Sequence, residues 1–286
     1  MEKVRTYVLY VFSLSYKHTE AGRDALMDQN ERRRWLIEEL LKEKPEYAAI
    51  EIPENEPEQK RLLCALFNVR PPGFAGTQFL QVQDEYLQEE TRRKEITSTE
   101  DLIPVSPSLP DISLWQGDIT TLKCDAIVNA ANDQMLGCFY PNHGCIDNAI
   151  HTFAGVQLRS ECARIMETQG YNGSCIVTDA YNLPCTYILH TVGPIIYSSV
   201  RKQDETALAR CYRSCLEAAD RLHLKSVAFC CLSTGEFRFP NDLAAQIAVK
   251  TVLSYKKETD SRIEVIFNVF KDKDRQLYEN IFRKIQ

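Results

Sequence analysis

This 286-residue chain has no apolar run long enough to cross a bilayer. Its N-terminal apolar stretch, Tyr7 to Leu14, is short and flanked by polar residues, whereas a span needs about 20 apolar residues. No small-residue cleavage site follows it, so neither secretion nor membrane insertion is expected. A surplus of positive charge is missing too. Residues 1–104 carry 15 Lys+Arg against 20 Asp+Glu, and residues 105–286 carry 19 against 20, so neither part has the basic surface that nucleic acid requires. The one basic cluster, Arg32-Arg33-Arg34, sits among acidic residues on an apparent helix and reads as a solvated face. Internal repeats and low-complexity tracts are also lacking. The 11 cysteines are an odd number, which does not suit a paired disulfide framework. Reduced thiols in the cytoplasm, acting as small core residues or metal ligands, fit better.

What is present is ordinary globular material, with 44% hydrophobic and 26% charged residues. Residues 96–111, ITSTEDLIPVSPSLPD, hold three prolines and five Ser/Thr and read as a linker. The expected division is a helical N-terminal domain plus linker over 1–104 and a second domain over 105–286. Upstream, RRWLIEELLKEKPEY, EPEQKRLLCALFNVRPP and FLQVQDEYLQEETRRKEI carry helical apolar stripes, the first two stopped by proline. They show no catalytic constellation and read as a packing or docking module. Downstream, strands and helices alternate. Strands are expected at DISLW, CDAIVNAA, SCIVTDA, TYILHTV, SVAFCCLS and IEVIFNVF, with one long helix over 146–166 and others at 205–223, 241–255 and 273–284. That alternation predicts an α/β domain with a three-layer α/β/α build. Ligands in such sheets sit at the carboxyl ends of the strands.

Three short stretches fall at those ends: GDIT (117–120), NAAN (129–132) and LSTGEFRFP (232–240). Ser233-Thr234-Gly235 is either a phosphate cradle, since small residues let backbone N–H groups approach an anion, or a tight strand-to-helix turn. It lacks the Lys-Ser/Thr of a Walker motif. Between the second stretch and the next helix lies LGCFYPNHGCIDNAIH, residues 136–151, with Cys138, His143 and Cys145. Thiolate and imidazole are the donors zinc prefers, and three ligands with an open position is the catalytic pattern. Spacing alone leaves three readings open: a metal site, a Cys138–Cys145 disulfide, or a loop that happens to hold these residues. Asp147, at the start of the helix, is a capping acid or a general base. His151, His190 and the Cys230-Cys231 pair read as core.

GDIT, VNAAN (128–132), IDNAIHTFAG (146–155), HTVGP (190–194) and LSTGEFRFP, in this order, resemble the macrodomain family. The resemblance implies a mixed central sheet between helical layers and an ADP-ribose ligand. It implies Asp118 on the adenine amino group with the Ile119 backbone beside it, and Phe270 near the adenine. It places Asn132 at the distal ribose, where it also serves catalysis. Ser233, Thr234, Gly235, Glu236 and Phe237 would wrap the diphosphate, with Phe237 against the distal ribose. The sequence departs from the common pattern where Glu236 and Arg238 replace an apolar residue and a glycine, and where the usual glycine-rich loop has become the Cys/His segment. That segment and the helical N-terminal extension resemble a zinc-containing bacterial subgroup. Membership there implies one Zn2+ per chain on Cys138, His143 and Cys145, and Asp147 positioning or deprotonating the attacking group. The implied activity is removal of mono-ADP-ribose from ester-linked Asp or Glu side chains, in association with an ADP-ribosylating sirtuin and a lipoyl-carrier protein. Two alternatives stand beside it: an ADP-ribose-binding module without catalysis, and an esterase of O-acyl-ADP-ribose.

Overall fold

The computed structural model describes residues 27–285; the Tyr7–Leu14 stretch and the remaining residues of the expected N-terminal domain before Met27 lie outside the described residues. Helix α1 (Gln29–Lys42) begins at a capping box, with the Asp28 carboxylate accepting from the Glu31 backbone and the Glu31 side chain reaching back to the Asp28 N–H. Helix α2 (Glu56–Val69) is capped by Asn55 and carries proline in its first turn, where a missing N–H costs nothing. Helix α3 runs Thr77–Arg93. Their apolar stripes meet in one cluster that includes Leu36, Ile37, Leu63, Phe67, Val82 and Leu87. Val156 belongs to the same cluster and Phe153 packs against it, so the helical layer closes on the rest of the chain.

The segment expected to be a linker carries structure. It contains β1 (Thr97–Ser98), β2 (Pro104–Ser106) and the start of β3 (Leu109–Gln116). β2 is an edge strand, where a proline without an N–H to donate is tolerated. β1 pairs in parallel with β4 (Leu122–Lys123). The main sheet adds β5 (Ala126–Ala130), β6 (Ile176–Asp179), β7 (Tyr187–Thr191), β8 (Ser226–Phe229) and β9 (Glu264–Val269), in the order β2-β3-β9-β8-β5-β7-β6. The five inner strands run parallel, and both edges are antiparallel, which makes the sheet mixed. Strands β8 and β9 are buried almost throughout, as their continuous apolar sequences require.

Helices α6 (Lys202–Arg221), α7 (Asn241–Thr259) and α8 (Asp272–Arg283) pack on one another in series. The expected single helix over 146–166 is two, α4 (Ile146–Ala154) and α5 (Val156–Gln169), broken at Gly155. Gly155 has φ +101°, a conformation that L side chains rarely adopt, and a Cβ there would lie 2.6 Å from Gln83 Nε2. Gln83, from α3, accepts from the Val156 N–H at 3.0 Å and donates to Gln157 at 2.7 Å, so the helical layer itself caps α5. Among the described residues no helix is long and apolar enough to cross a membrane.

Candidate active site

The predicted binding residues gather at the carboxyl ends of the parallel strands. Asp118 follows β3 and caps the turn Ile119–Thr121; its Oδ1 accepts from the Thr120 N–H at 3.0 Å and the Thr120 hydroxyl at 2.7 Å. Ile119 opens that turn with its side chain buried. Phe270 ends the neighbouring strand β9, exposed, with its carbonyl accepting from Gln116 Nε2. Lys94, just past α3, places Nζ 3.2 Å from Asp118 Oδ2. Burial pushes the Asp118 carboxyl up, but the Thr120 hydroxyl and the Lys94 charge outweigh it and hold the group below its ordinary value.

The 233–237 loop leaves β8 through Ser233, which takes φ +63°, and turns back at Arg238, φ +58°. The Ser233 carbonyl accepts from the Phe239 N–H, and the Ile196 N–H donates to the Phe237 carbonyl at 2.8 Å. Phe239 is buried and pins the loop, while Gly235 and Glu236 are exposed and Thr234 and Phe237 half-buried. The Ser233 hydroxyl is buried without a hydrogen-bond partner among the described residues. The glycine of HTVGP has a steric reason: a Cβ on Gly193 would sit 1.9 Å from Ser233 Oγ.

Cys138, His143 and Cys145 converge. Their ligand atoms all lie within 4.8 Å of one another, and Cys138 Sγ is 3.4 Å from His143 Nδ1. Zinc–sulfur and zinc–nitrogen bonds of about 2.3 and 2.0 Å at a tetrahedral angle put those two atoms roughly 3.5 Å apart, so the donor set and its spacing fit zinc. All eleven cysteines are free thiols. Asn148 Nδ2 donates to the Tyr140 carbonyl at 3.0 Å, Asn132 Nδ2 to the Gly137 carbonyl at 3.0 Å, and Arg159 Nε to the Leu136 carbonyl at 2.7 Å, which together set the loop's course. On its far side His143 Nε2 lies 3.5 Å from Glu236 Oε1, so the Glu departure in the 233–237 loop faces the Cys/His loop.

Asp147 lies beside this trio, in the first turn of α4 and buried. Asn129 Nδ2 donates to its Oδ1 at 2.8 Å, and Asn132 Nδ2 stands 3.4 Å from its Oδ2. Burial pushes the carboxyl up to about 6, against the opposing hydrogen bond from Asn129. Such a group is mostly ionised at neutrality yet has a pKa close to it, which suits a general base. Behind it, His151 Nε2 is 3.6 Å from Asp147 Oδ1, and both His151 nitrogens are buried without a hydrogen bond among the described residues.

His151, Cys162 and His190 form a second group whose ligand atoms lie within 4.8 Å of one another. It suits a metal poorly. Asn129 Nδ2 faces His190 Nδ1 at 3.1 Å, which makes that nitrogen the acceptor and leaves Nε2–H to donate to Thr178 Oγ1 at 3.0 Å. His190 is thus a satisfied core histidine. The structure therefore brings Asn132, Asp147, the Cys/His trio and Glu236 into one neighbourhood, and groups Asp118, Ile119 and Phe270 at the β3–β9 end of the sheet. Sequence reasoning missed Asn129, Asn68, Lys94 and Arg159. Asn129 had a signal, a polar residue inside an otherwise apolar buried strand; the others come from distant segments and carry none.

A mixed sheet flanked by helices, with motif loops at its strand ends, defines an α/β fold of the macrodomain type. The Macro domain family matches residues 128–248. A protein-ADP-ribose hydrolase of Treponema medium is 54% identical over 259 residues, covering 89% of this chain and 99% of that protein. A protein-ADP-ribose hydrolase of Staphylococcus aureus (strain MSSA476) is 48% identical over 265 residues, covering 91% and 98%. Among solved structures, a Trypanosoma brucei macrodomain in complex with ADP-ribose is similar with a TM-score of 0.60 and 30% identity, over 80% of this chain and 97% of that one. The chain belongs to the Macro domain family.

Proposed function

We propose that this protein is a zinc-dependent hydrolase that removes mono-ADP-ribose from modified protein side chains. The observation that carries the reading is the convergence of Cys138, His143 and Cys145 beside the buried Asp147. Relatives that match along almost their whole length are named protein-ADP-ribose hydrolase, which supports the same reaction class. Asp118, with the Ile119 backbone and Phe270, receives the adenine. The 233–237 loop holds the diphosphate, and its orphaned Ser233 hydroxyl supplies a polar contact there. Asn132 and Phe237 face the distal ribose.

Zinc on the trio supplies Lewis-acid polarisation at the distal ribose or at its ester to an Asp or Glu side chain. The chain's own groups do the rest. Asp147 takes a proton from the attacking water, whose oxygen bonds to the distal ribose as the ester C–O bond breaks and the Asp or Glu carboxylate leaves; Asn129 and Asn132 hold the Asp147 carboxylate in line. The exposed position of Glu236 lets it meet the protein side of the linkage. The protein would act in the cytoplasm, and a lipoyl-carrier protein modified by a sirtuin-type transferase is the pairing this reading favours. One zinc per chain is expected. The test is turnover on a mono-ADP-ribosylated acidic protein: chelation or Cys145→Ser should abolish release while ADP-ribose affinity stays within a few-fold. Full turnover in metal-free protein would sink the proposal, and release of acetate from O-acetyl-ADP-ribose with no action on protein would redirect it to a metabolite esterase.

A further inference from the structure

The helices before the sheet reach the Cys/His loop. Asn68, in the last turn of α2, is 1% exposed and lies 74 residues before the loop in sequence. Its Oδ1 accepts from the Asn142 N–H at 2.8 Å, and its Nδ2 donates to Thr152 Oγ1 in α4 at 2.8 Å. Asn142 is the residue immediately before His143, and it adopts φ +54°. The His143 N–H donates to the Tyr140 carbonyl at 3.2 Å, closing a turn with Pro141 and Asn142 at its two central positions. Proline followed by a residue with positive φ is the pattern of a type II turn, in which the N–H of the second central residue is free to point out of the turn. Asn68 takes that N–H.

The same end of α2 holds the other arm of the loop. Arg159, from α5, donates to the carbonyls of Phe67, Asn68 and Arg70, while its Nε donates to the carbonyl of Leu136, two residues before Cys138. Its guanidinium also lies 4.3 Å from the centre of the Phe139 ring. Both flanks of the loop are therefore fixed to one helix end. Asn148 closes the circuit: its carbonyl accepts from the Thr152 hydroxyl at 2.7 Å, and its amide donates to the Tyr140 carbonyl.

We infer that α2 is a built part of the metal centre, and that Asn68 is a positioning residue that fixes the Asn142–His143 peptide so that the imidazole meets the two thiols. The inference rests on the zinc reading above. It gives the helical layer a role at the chemistry, where the sequence suggested packing or docking only. Groups that orient a metal ligand typically alter affinity by about 10–100-fold when removed.

The full chain is compared as wild type, Asn68→Ala, Asn68→Asp and Thr152→Val. Zinc affinity is read by competition with a chromophoric chelator, and the thiolate-to-metal charge-transfer band is read on the cobalt(II) form. Asn68→Ala is expected to weaken zinc at least tenfold and to shift the cobalt band. Asn68→Asp keeps an acceptor for the Asn142 N–H and is expected to recover most of the affinity; being isosteric, it also keeps the test open if the alanine variant does not fold. Thr152→Val removes the other half of the bridge and is expected to lower the urea midpoint while leaving zinc affinity within twofold. Asn68→Ala binding zinc like wild type, or Asn68→Asp binding as weakly as a folded Asn68→Ala, overturns the inference. Absence of zinc binding in the wild type overturns the zinc reading as well.

Discussion

Lys94 Nζ lies 3.2 Å from Asp118 Oδ2 and 3.4 Å from the centre of the Phe153 ring. The lysine comes from the end of α3, the aspartate from the loop after β3, and the ring from α4, so three separate segments meet at the expected adenine end of the cleft. The ammonium is one reason that the Asp118 carboxyl stays below its ordinary value despite burial. Lys94→Met should therefore move the Asp118 pKa upward, read by carbon-13 NMR of the carboxyl through an acid titration. Because the pair is partly exposed, added salt should shrink the wild-type shift. A variant whose Asp118 titrates like wild type would show that Thr120 alone holds the carboxylate ionised.

Asn129 is the donor shared between Asp147 and His190. Asn129→Ala leaves a buried carboxylate oxygen and a buried imidazole nitrogen without a partner, a loss of about 1–3 kcal/mol of stability. The same change frees the Asp147 carboxylate from one of its two amides. Turnover on an ADP-ribosylated protein should fall about tenfold or more while ADP-ribose affinity, which depends on other residues, stays within a few-fold. Urea unfolding and steady-state kinetics on one preparation check both. Unchanged turnover would remove Asp147 from the proton-transfer role.

The contrast between Asn129 and Asn68 shows what a one-dimensional reading reaches. The alternation of apolar strands and striped helices placed the layers, because burial on both sheet faces writes itself into the sequence. The five motifs placed the strand-end loops for the same reason, each being local. The helix break at Gly155 was missed because α4 and α5 share a continuous apolar pattern, and only a positive φ at one glycine separates them. Lys94 and Asn68 were invisible because each acts across a contact between distant segments. The supposed linker at 96–111 concealed an edge strand because prolines are tolerated at edges.

Two buried histidines set the acid stability. Burial lowers the His190 pKa to about 3 and holds His151 well below its ordinary value. In the unfolded chain both titrate near 6.5, so between that pH and the folded values the unfolded state binds more protons and stability falls as pH falls. Asp147 works in the opposite direction. Its folded pKa of about 6 exceeds the unfolded one, so between pH 6 and 4 the native state takes up a proton and part of the loss is offset. Of these three groups the two histidines outweigh the one carboxyl, so stability should still fall as pH falls through that window. Chemical unfolding of metal-free protein at pH 4.5, 5.5 and 6.5 measures the slope, and Asp147→Asn should steepen it.

Metal loading should depend on pH in the same sense, and more steeply. Burial, with the neighbouring Cys138 and Asp147 adding to it, lifts the Cys145 thiol to about 12 in the metal-free protein. Zinc binds the thiolate, so each zinc bound must displace at least the Cys145 proton at every pH from 6 to 9. Apparent zinc affinity should then rise at least tenfold per pH unit. Calorimetry in buffers of different ionisation enthalpy counts the protons released, and Cys145→Ser should remove one of them. A pH-independent affinity would exclude Cys145 as a ligand.

Two glycines, Gly193 beside the 233–237 loop and Gly235 within it, separate packing from ligand contact. A Cβ on Gly193 would sit 1.9 Å from Ser233 Oγ, whereas one on Gly235 would meet nothing within 4 Å. Gly193→Ala must turn the Ser233 hydroxyl away and press on its Cβ, 3.3 Å from the added methyl, beside the turn that the Phe239 N–H closes on the Ser233 carbonyl. It should lower both the thermal midpoint and ADP-ribose affinity, the latter by about tenfold or more, since displacing the loop disrupts several polar contacts worth about 1 kcal/mol each. Gly235→Ala has room in the protein and should leave the midpoint within a degree or so. If the diphosphate packs against the backbone at Gly235, the added methyl should still weaken ADP-ribose binding. Equal affinities for Gly235→Ala and wild type would place the diphosphate elsewhere on the loop, and equal midpoints for Gly193→Ala and wild type would mean that Ser233 moves aside at no cost.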